Sequence, residues 1–396
     1  MPVTWRSEAC DQAPDPESGA SIVRLTQAAK HSVNIYCEQP YTSPDGKRIA
    51  IMRSAEADPR LPPFDLYVAD LDTLRIQPAD RNAQSILVAT VAWSGMIYYV
   101  SAANDLVRLD ITTLEKQIVW TKWPFAPEFM LQSVSPDHRY VVGVLPQSNY
   151  DTALVRVDLK EKSWKVLLER PELFAGHLQY MPVPTADGKF PIMGLLHRGK
   201  KLNNYWHMVE YPTEHPGTCY YVVDNDGDNF RLFPSGPPLV RSNNGHSAWI
   251  AETGRIAFSV SWDQKAWQLD SRWPQGNLFT AAPTGSMTSD EKPQVFHAPE
   301  HRFNHVSVSR CGQYFVCDSY PQGIPGPVPL VVGNFETGKY RNIVGDCKAT
   351  CGGPACSHPH AYFTADNKHV IYNADPHLLG QVYAARVPEN FLAGLS

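Results

Sequence analysis

Histidines recur in this chain at one kind of place, the start of an apolar strand that runs into a tight turn. His305 and His360 each stand seven residues before the second residue of their turns, Gly312 and Asn367. His246 stands eight residues before Gly254, one residue out of step. His358 lies two residues before His360, so on a strand the two share a face. Imidazole is the side chain best suited to accept a proton near neutral pH, and it is also a common ligand for transition metals. One such histidine alone would be read as a packed residue bonded to a backbone carbonyl. Four at matching heights predict a metal or catalytic site.

A second group of polar residues falls on predicted loops. His177 precedes one apolar strand within Gly176-His177-Leu178-Gln179, and His197-Arg198 ends the next. The 18 residues that follow, 200–217, include Asn, Tyr, Trp and His207. Asn149 and Tyr150 lie in the loop PQSNYD, Arg60 lies in AEADPRLPPF, and Asn244 precedes His246 by two. Amides, aromatics and cations on one rim suit a sugar. Arg60, Asn149, His177, His207 and Asn244 are therefore expected to bind substrate. Tyr150, His197, Arg198 and His246 are expected to carry catalytic roles. Glycoside hydrolysis would instead require a close pair of carboxylates, and the strand starts supply His and Gln.

The elements that must hold these residues come from a repeat. A short strand, a turn of the S/T-x-D-G kind, an apolar strand, a loop and another apolar strand ending in Asp or Asn recur seven times. YTSPDGKRIAIM (41–52) with DLYVADLD (65–72) is the first copy, and HAYFTADNKHVIYNAD (360–375) with QVYAARVPE (381–389) is the last. Copies of this length suit four-stranded blades. The expected fold is all-β: a seven-bladed β-propeller of four-stranded antiparallel blades. SIVRLT (21–26) closes the last blade, which removes an exposed sheet edge. Residues 1–20 are expected to form an extension and 21–396 one propeller domain. Two-residue hairpins are expected at the D-G turns. A pair of β-sandwiches would not require so regular a repeat. Composition agrees, with 34 Pro in 396 residues against about 5% on average, and 43% of residues apolar.

With 35 Lys+Arg and 40 Asp+Glu the net charge is −5, which disfavours a nucleic-acid binder or a polybasic membrane-surface protein. No apolar run is long enough for a transmembrane helix. The stretch MPVTWRSEACDQAPDPESGA has no apolar signal-peptide core, so the chain reads as cytoplasmic unless another route exports it. A monomer is expected. Cys347, Cys351 and Cys356 form a C-x3-C-x4-C cluster. Free thiols or one disulfide are expected there ahead of zinc, which usually takes a C-x2-C pair and a fourth ligand.

RLT (24–26), Tyr36, TSPDGK (42–47), GHLQ, LHRG, GHSAW, the H-x-x-x-S-x-x-G run from His305 and HPHAYFTAD together resemble the oligogalacturonate lyase family over residues 20–390. Its members are seven-bladed propellers that cleave 4-linked uronates by β-elimination with a bound divalent metal. The resemblance implies metal ligation by His305, His358 and His360, proton abstraction from C5 by His246, and substrate contact by His197. Mn or Ca is the expected ion. Two departures touch the substrate clamp. The family's glutamine three residues before HPH is Ala355 here, and its catalytic arginine falls near Cys219. These changes, with a composition of eukaryotic type, favour a second group of seven-bladed propellers, the fungal L-rhamnose-α-1,4-D-glucuronate lyases, acting on gum arabic-type arabinogalactan. Oligogalacturonate is the alternative substrate. A non-catalytic sugar-binding or scaffold propeller is the alternative of another class, although it lacks the GH…WD repeat signature and leaves the histidines unexplained.

Overall fold

The computed structural model of the chain describes residues 4–396 except 55, 57–61, 86–87, 126–128, 147–151, 174–175, 203–207, 262–275, 285–291, 321–325 and 352–356. Arg60, Asn149, Tyr150, His207, Ala355 and Cys356 lie outside the described residues. Apart from two 3-10 turns, Ala251–Thr253 and Ala393–Leu395, the regular elements described are strands. Among the described residues no helix is long and apolar enough to cross a membrane. The chain divides into two compact units, residues 1–123 with 303–396, and residues 124–302.

In the first unit, Arg48–Ser54 and Phe64–Asp70 form the middle of an antiparallel meander flanked by His31–Val33 and Arg75–Ala83. A second meander runs Ala89–Thr90, Met96–Val100, Leu106–Asp110, Lys116–Trp120, and a third runs Phe303–Val308, Tyr314–Ser319, Leu330–Asn334, Tyr340–Val344. The last runs Tyr362–Phe363, His369–Ala374 and Gln381–Arg386, and takes its fourth strand from Ile22–Arg24 through the pairs Ile22↔Ala385 and Arg24↔Tyr383. The early segment therefore closes the final meander as the sequence predicts.

Residues before 20 are woven into the same sheets. Arg6 pairs with Ile76, and Cys10 pairs with Arg24. Between those strands Glu8 meets the buried Arg53 guanidinium at 2.7 Å, which holds its carboxyl below the ordinary range against the opposing effect of burial.

The second unit repeats the pattern. Its meanders are Met130–Val134, Tyr140–Pro146, Thr152–Asp158, Ser163–Arg170; then Gln179–Tyr180, Ile192–Arg198, Gly217–Val223, Arg231–Leu232; then Asn243–Trp249, Ile256–Val260, Leu278–Ala281, Gln294–Phe296. The short strands Lys200–Leu202 and Met208–Glu210 pair with each other, Lys200 opposite Glu210.

The middle strands lose the in–out alternation of a half-buried sheet because both of their faces are covered. Arg48–Ser54 is buried from Ile49 onward. Its two faces part company: Ala50 and Met52 pack with Ile97, Tyr99 and Leu109 of the next meander, whereas Ile49 and Ile51 pack with Tyr362, Ile371 and Val382 of the last one. Outer strands such as Ser163–Arg170 are largely exposed. Face-to-face stacking of four-stranded meanders with exposed outer strands is the packing of a β-propeller.

The turns depart from the predicted two-residue hairpin. Ser43 N–H donates to Arg48 O, and Gly46 N–H donates back to Ser43 O. Asp45 Oδ1 accepts from Ser43 Oγ at 2.6 Å and from Lys47 N–H at 3.1 Å. Gly46 closes the loop at φ 74°, the left-handed region that needs no Cβ. The Asp side chain thus organises a wider loop, which is why S/T-x-D-G recurs where a bare D-G would suffice for a two-residue turn.

Candidate functional site

His305 is aimed by a break in its sheet. Phe303 pairs with Ser319 and Val306 with Cys317, so Asn304 and His305 together oppose the single residue Asp318. Such a bulge re-aims a side chain and leaves a ladder position unpaired. Asp318 fills that position with its own carboxylate: Oδ1 accepts the His305 backbone N–H at 2.8 Å, and Oδ2 lies 2.8 Å from His305 Nδ1. Both residues are buried. Burial pushes the Asp318 carboxyl up to about 7, opposed by hydrogen bonds from the His305 and His360 backbones and by nearby His358.

His358 Nδ1 lies 3.3 Å from His305 Nε2. The His360 ring centroid lies 4.4 Å from that of His305 and 5.7 Å from that of His358. Each of the three offers a ring nitrogen, and these nitrogens lie within 4.8 Å of one another. The 3.3 Å separation matches the edge of a tetrahedron with metal–nitrogen bonds of about 2.1 Å, roughly 3.4 Å. Three imidazoles backed by a carboxylate are a donor set that fits a divalent transition metal.

His358 and His360 do not converge as neighbours on one strand face. The strand begins only at Tyr362, Pro359 has no N–H to donate, and His360 takes the left-handed conformation at φ 43°. Two buried amides hold this irregular turn. Asn34 Nδ2 donates to His360 O at 2.8 Å, Asn373 Nδ2 donates to His358 O at 3.1 Å, and Asn34 N–H donates to Asn373 Oδ1 at 2.8 Å. The Tyr36 ring packs 4.4 Å from that of His360. Cys347 is a buried and Cys351 a half-buried free thiol, and burial pushes both up.

In the second unit a larger bulge sits on the corresponding strand. Asn243 pairs with Val260 and Ser247 with Phe258, leaving Asn244, Gly245 and His246 opposite Ser259 alone. Ser259 Oγ donates to Asn244 Oδ1 at 2.5 Å, and Gly245 N–H donates to Asn243 Oδ1 at 3.0 Å. Gly245 takes φ 96°. His246 stands three residues before the ladder residue Trp249, as His305 stands three before Val308, so the one-residue offset seen in the sequence arises in the turn, where Gly254 follows the 3-10 turn Ala251–Thr253. The His246 ring lies 6.0 Å from that of His177, nearly perpendicular to it. His177 sits at φ 44° directly after Gly176, where a Cβ would come within 2.3 Å of the Gln132 amide. Gln132 Oε1 in turn accepts the Leu178 N–H at 2.6 Å.

His197 belongs to the same cluster. Burial lowers its imidazole to about 4, and nearby His177 and Lys200 act in the same direction. It is therefore neutral at pH 7. Arg198, beside it, donates to the Pro237 carbonyl and lies against Cys219. Burial pushes the Cys219 thiol up to about 11, with Arg198 opposing that rise. The structure therefore groups His305, His358 and His360 in one unit, and His177, His197, His246 and Asn244 in the other.

Asp318, Asn34 and Asn373 escape a reading of motifs. Asp318 alone left a signal. The ladder pair Val308↔Phe315 next to the turn, stepped back three residues along the strand, sets Asp318 opposite His305.

No protein-family model matches the chain. It is similar to the oligogalacturonate lyase of Dickeya dadantii, 20% identical over 402 residues that cover 95% of each chain. It is similar to the oligogalacturonide lyase of Pectobacterium atrosepticum, 20% identical over 404 residues with the same coverage. Among solved structures it resembles an oligogalacturonate lyase in complex with manganese, at a TM-score of 0.68 and 18% identity, covering 99% of this chain and 98% of that one. The chain thus shares the fold of that lyase from end to end.

Proposed function

We propose that this chain is a metal-dependent carbon–oxygen lyase that cleaves a 4-linked hexuronate glycoside by β-elimination. The carrying observation is the convergence of His305, His358 and His360, with Asp318 behind His305. End-to-end similarity to oligogalacturonate lyases supports the reading.

His305, His358 and His360 would hold the ion, with Mn the preferred identity and Ca the alternative. When bound there, a divalent ion would supply charge neutralisation of the uronate carboxylate, which would make the neighbouring C5–H acidic enough to remove. His246 is assigned the C5 proton. The C5–H electron pair forms the C4=C5 double bond, and the C4–O bond breaks toward the leaving oxygen, which takes a proton from an acid or from solvent. His197, neutral at pH 7, is suited to accept or donate a hydrogen bond to a sugar hydroxyl, with His177 and Asn244 beside it. Arg60, Asn149, Tyr150 and His207 keep the binding and acid roles proposed from their positions in the sequence. One propeller domain over residues 21–396, with seven blades, is the organisation we propose.

Oligogalacturonate is the substrate that the similarities favour. A rhamnose-capped, 4-linked glucuronate is the second reading, and a specific observation favours it. Where the resemblance leads one to expect a catalytic arginine, the chain carries the buried Cys219 thiol, and neighbouring Arg198 is bonded to a backbone carbonyl.

Both substrates should be incubated with the protein while the ultraviolet absorbance of a 4,5-unsaturated uronate is followed. Absorbance growing with one substrate and not the other assigns the glycan. Saturated uronate without absorbance would mean hydrolysis and reject the proposal. His246→Ala should lower turnover by roughly 10²–10⁴-fold, the contribution of a general base, while bound Mn2+ stays near the native level. Loss of the metal in that variant would remove His246 from the base role.

A further inference from the structure

The three histidines are held from behind with more care than packing alone would require, and the residue that does most of it is Asp318. Its side chain is fully buried. It bonds His305 twice, once through the backbone N–H and once through Nδ1, each at 2.8 Å. The backbone contact fixes Oδ1 as an acceptor and aims Oδ2 at Nδ1, so an imidazole whose Nε2 ligates a cation carries its one ring proton on Nδ1 and donates it to Oδ2. The lone pair of His305 is then on Nε2, the atom that lies 3.3 Å from His358 Nδ1. Two imidazole nitrogens facing each other at that distance either share one proton or both present lone pairs to a cation.

We infer that Asp318 is the positioning residue of the metal centre, fixing His305 as the Nδ1–H tautomer so that Nε2 ligates. This rests on the reading of the three histidines as a metal site. Asp318 acts through His305, and the bulge that places Asn304 and His305 opposite it is the backbone half of the same device. The Asn34–Asn373 pair does the corresponding work for His358 and His360 by holding both of their carbonyls. A carboxylate behind a ligating histidine fixes ring and tautomer together, and removing such partners typically costs about 10–100-fold in metal affinity.

The full chain, stripped of metal, should be titrated with Mn2+ by calorimetry beside Asp318→Asn. The amide nitrogen of asparagine donates, so it can hold the wrong tautomer of His305 in an otherwise similar shape. The expected result is Mn2+ binding weaker by about 10–100-fold, with far-ultraviolet circular dichroism and metal-free melting showing a folded variant. Affinity within about threefold of native would overturn the inference. If Asp318→Asn does not fold, the native protein decides: with 15N-labelled histidine and bound Zn2+, His305 should show a protonated Nδ1 and a ligating Nε2. A protonated Nε2 there would overturn it equally. Failure of the native protein to bind Mn2+ or Zn2+ would reject the metal reading itself, an outcome distinct from tight binding retained without Asp318.

Discussion

At the scale of single residues the two histidine groups are built for different states. His305 faces a carboxylate, whereas His197 has burial and cationic neighbours against its charge. For His197 the consequence is a pH dependence of stability. Its folded value is about 4 against an ordinary value of 6.5. Between those limits the unfolded chain binds a proton that the folded chain does not, so stability rises with pH there and falls as pH drops from about 6.5 towards about 4. Urea unfolding at pH 7 and pH 5 should show a loss at the lower pH on the order of 2 kcal/mol from this residue. His197→Gln should lose less than the native protein over the same interval by about that amount. An equal loss in both would mean that His197 is protonated in the folded state.

At the scale of elements, the recurring device is an inner strand whose ladder breaks where the site residue stands. His305 and His246 each occupy such a break, and Gln132 occupies another, between Leu131 and Ser133. A regular strand would send alternate side chains into the packed sheet faces; the extra residue frees one of them to turn. The bulge at His246 depends on Gly245, whose φ of 96° is costly for any residue with a Cβ. Gly245→Ala should destabilise the protein by about 1–3 kcal/mol and lower turnover further than that loss accounts for, because His246 is re-aimed. A new Cβ would stand 3.7 Å from His177 Nε2, an ordinary contact, so backbone strain and not a clash is the cause. Turnover unchanged in a destabilised Gly245→Ala would separate the bulge from catalysis. The turns show the same economy: Asp45 bonds both Ser43 and Lys47, so one side chain closes the loop that joins two strands.

At the scale of the molecule, the proposed metal should be felt in global stability, because an ion that binds only the folded chain stabilises it by mass action. Mn2+ at about a hundred times its dissociation constant should add about 2.7 kcal/mol. Thermal melts with Mn2+ and with excess chelator should therefore differ by several degrees, and His358→Ala should abolish the difference. Equal melting temperatures in the native protein would count against a resident ion. The lyase similarities span 95% of the chain, so this reading concerns the whole fold and not an isolated motif.

Much of this was legible in the residues. The spacing of apolar runs and S/T-x-D-G turns determined an all-β chain of short meanders, and the early strand that closes the last one, because strand period and turn chemistry are local properties. The histidines were legible for the same reason: His305 and His360 stand at equal distances from their turns, and His246 one residue farther. What only the tertiary structure decided is how those rings come to point where they do. The bulge at His305 exists because Asp318, on the facing strand, can take the hydrogen bonds that the ladder gives up. The left-handed turn at His360 persists because Asn34, more than three hundred residues away, bonds its carbonyl. Each of these depends on a partner that reaches the site through folding, and a pattern along the chain carries no record of what will stand opposite it.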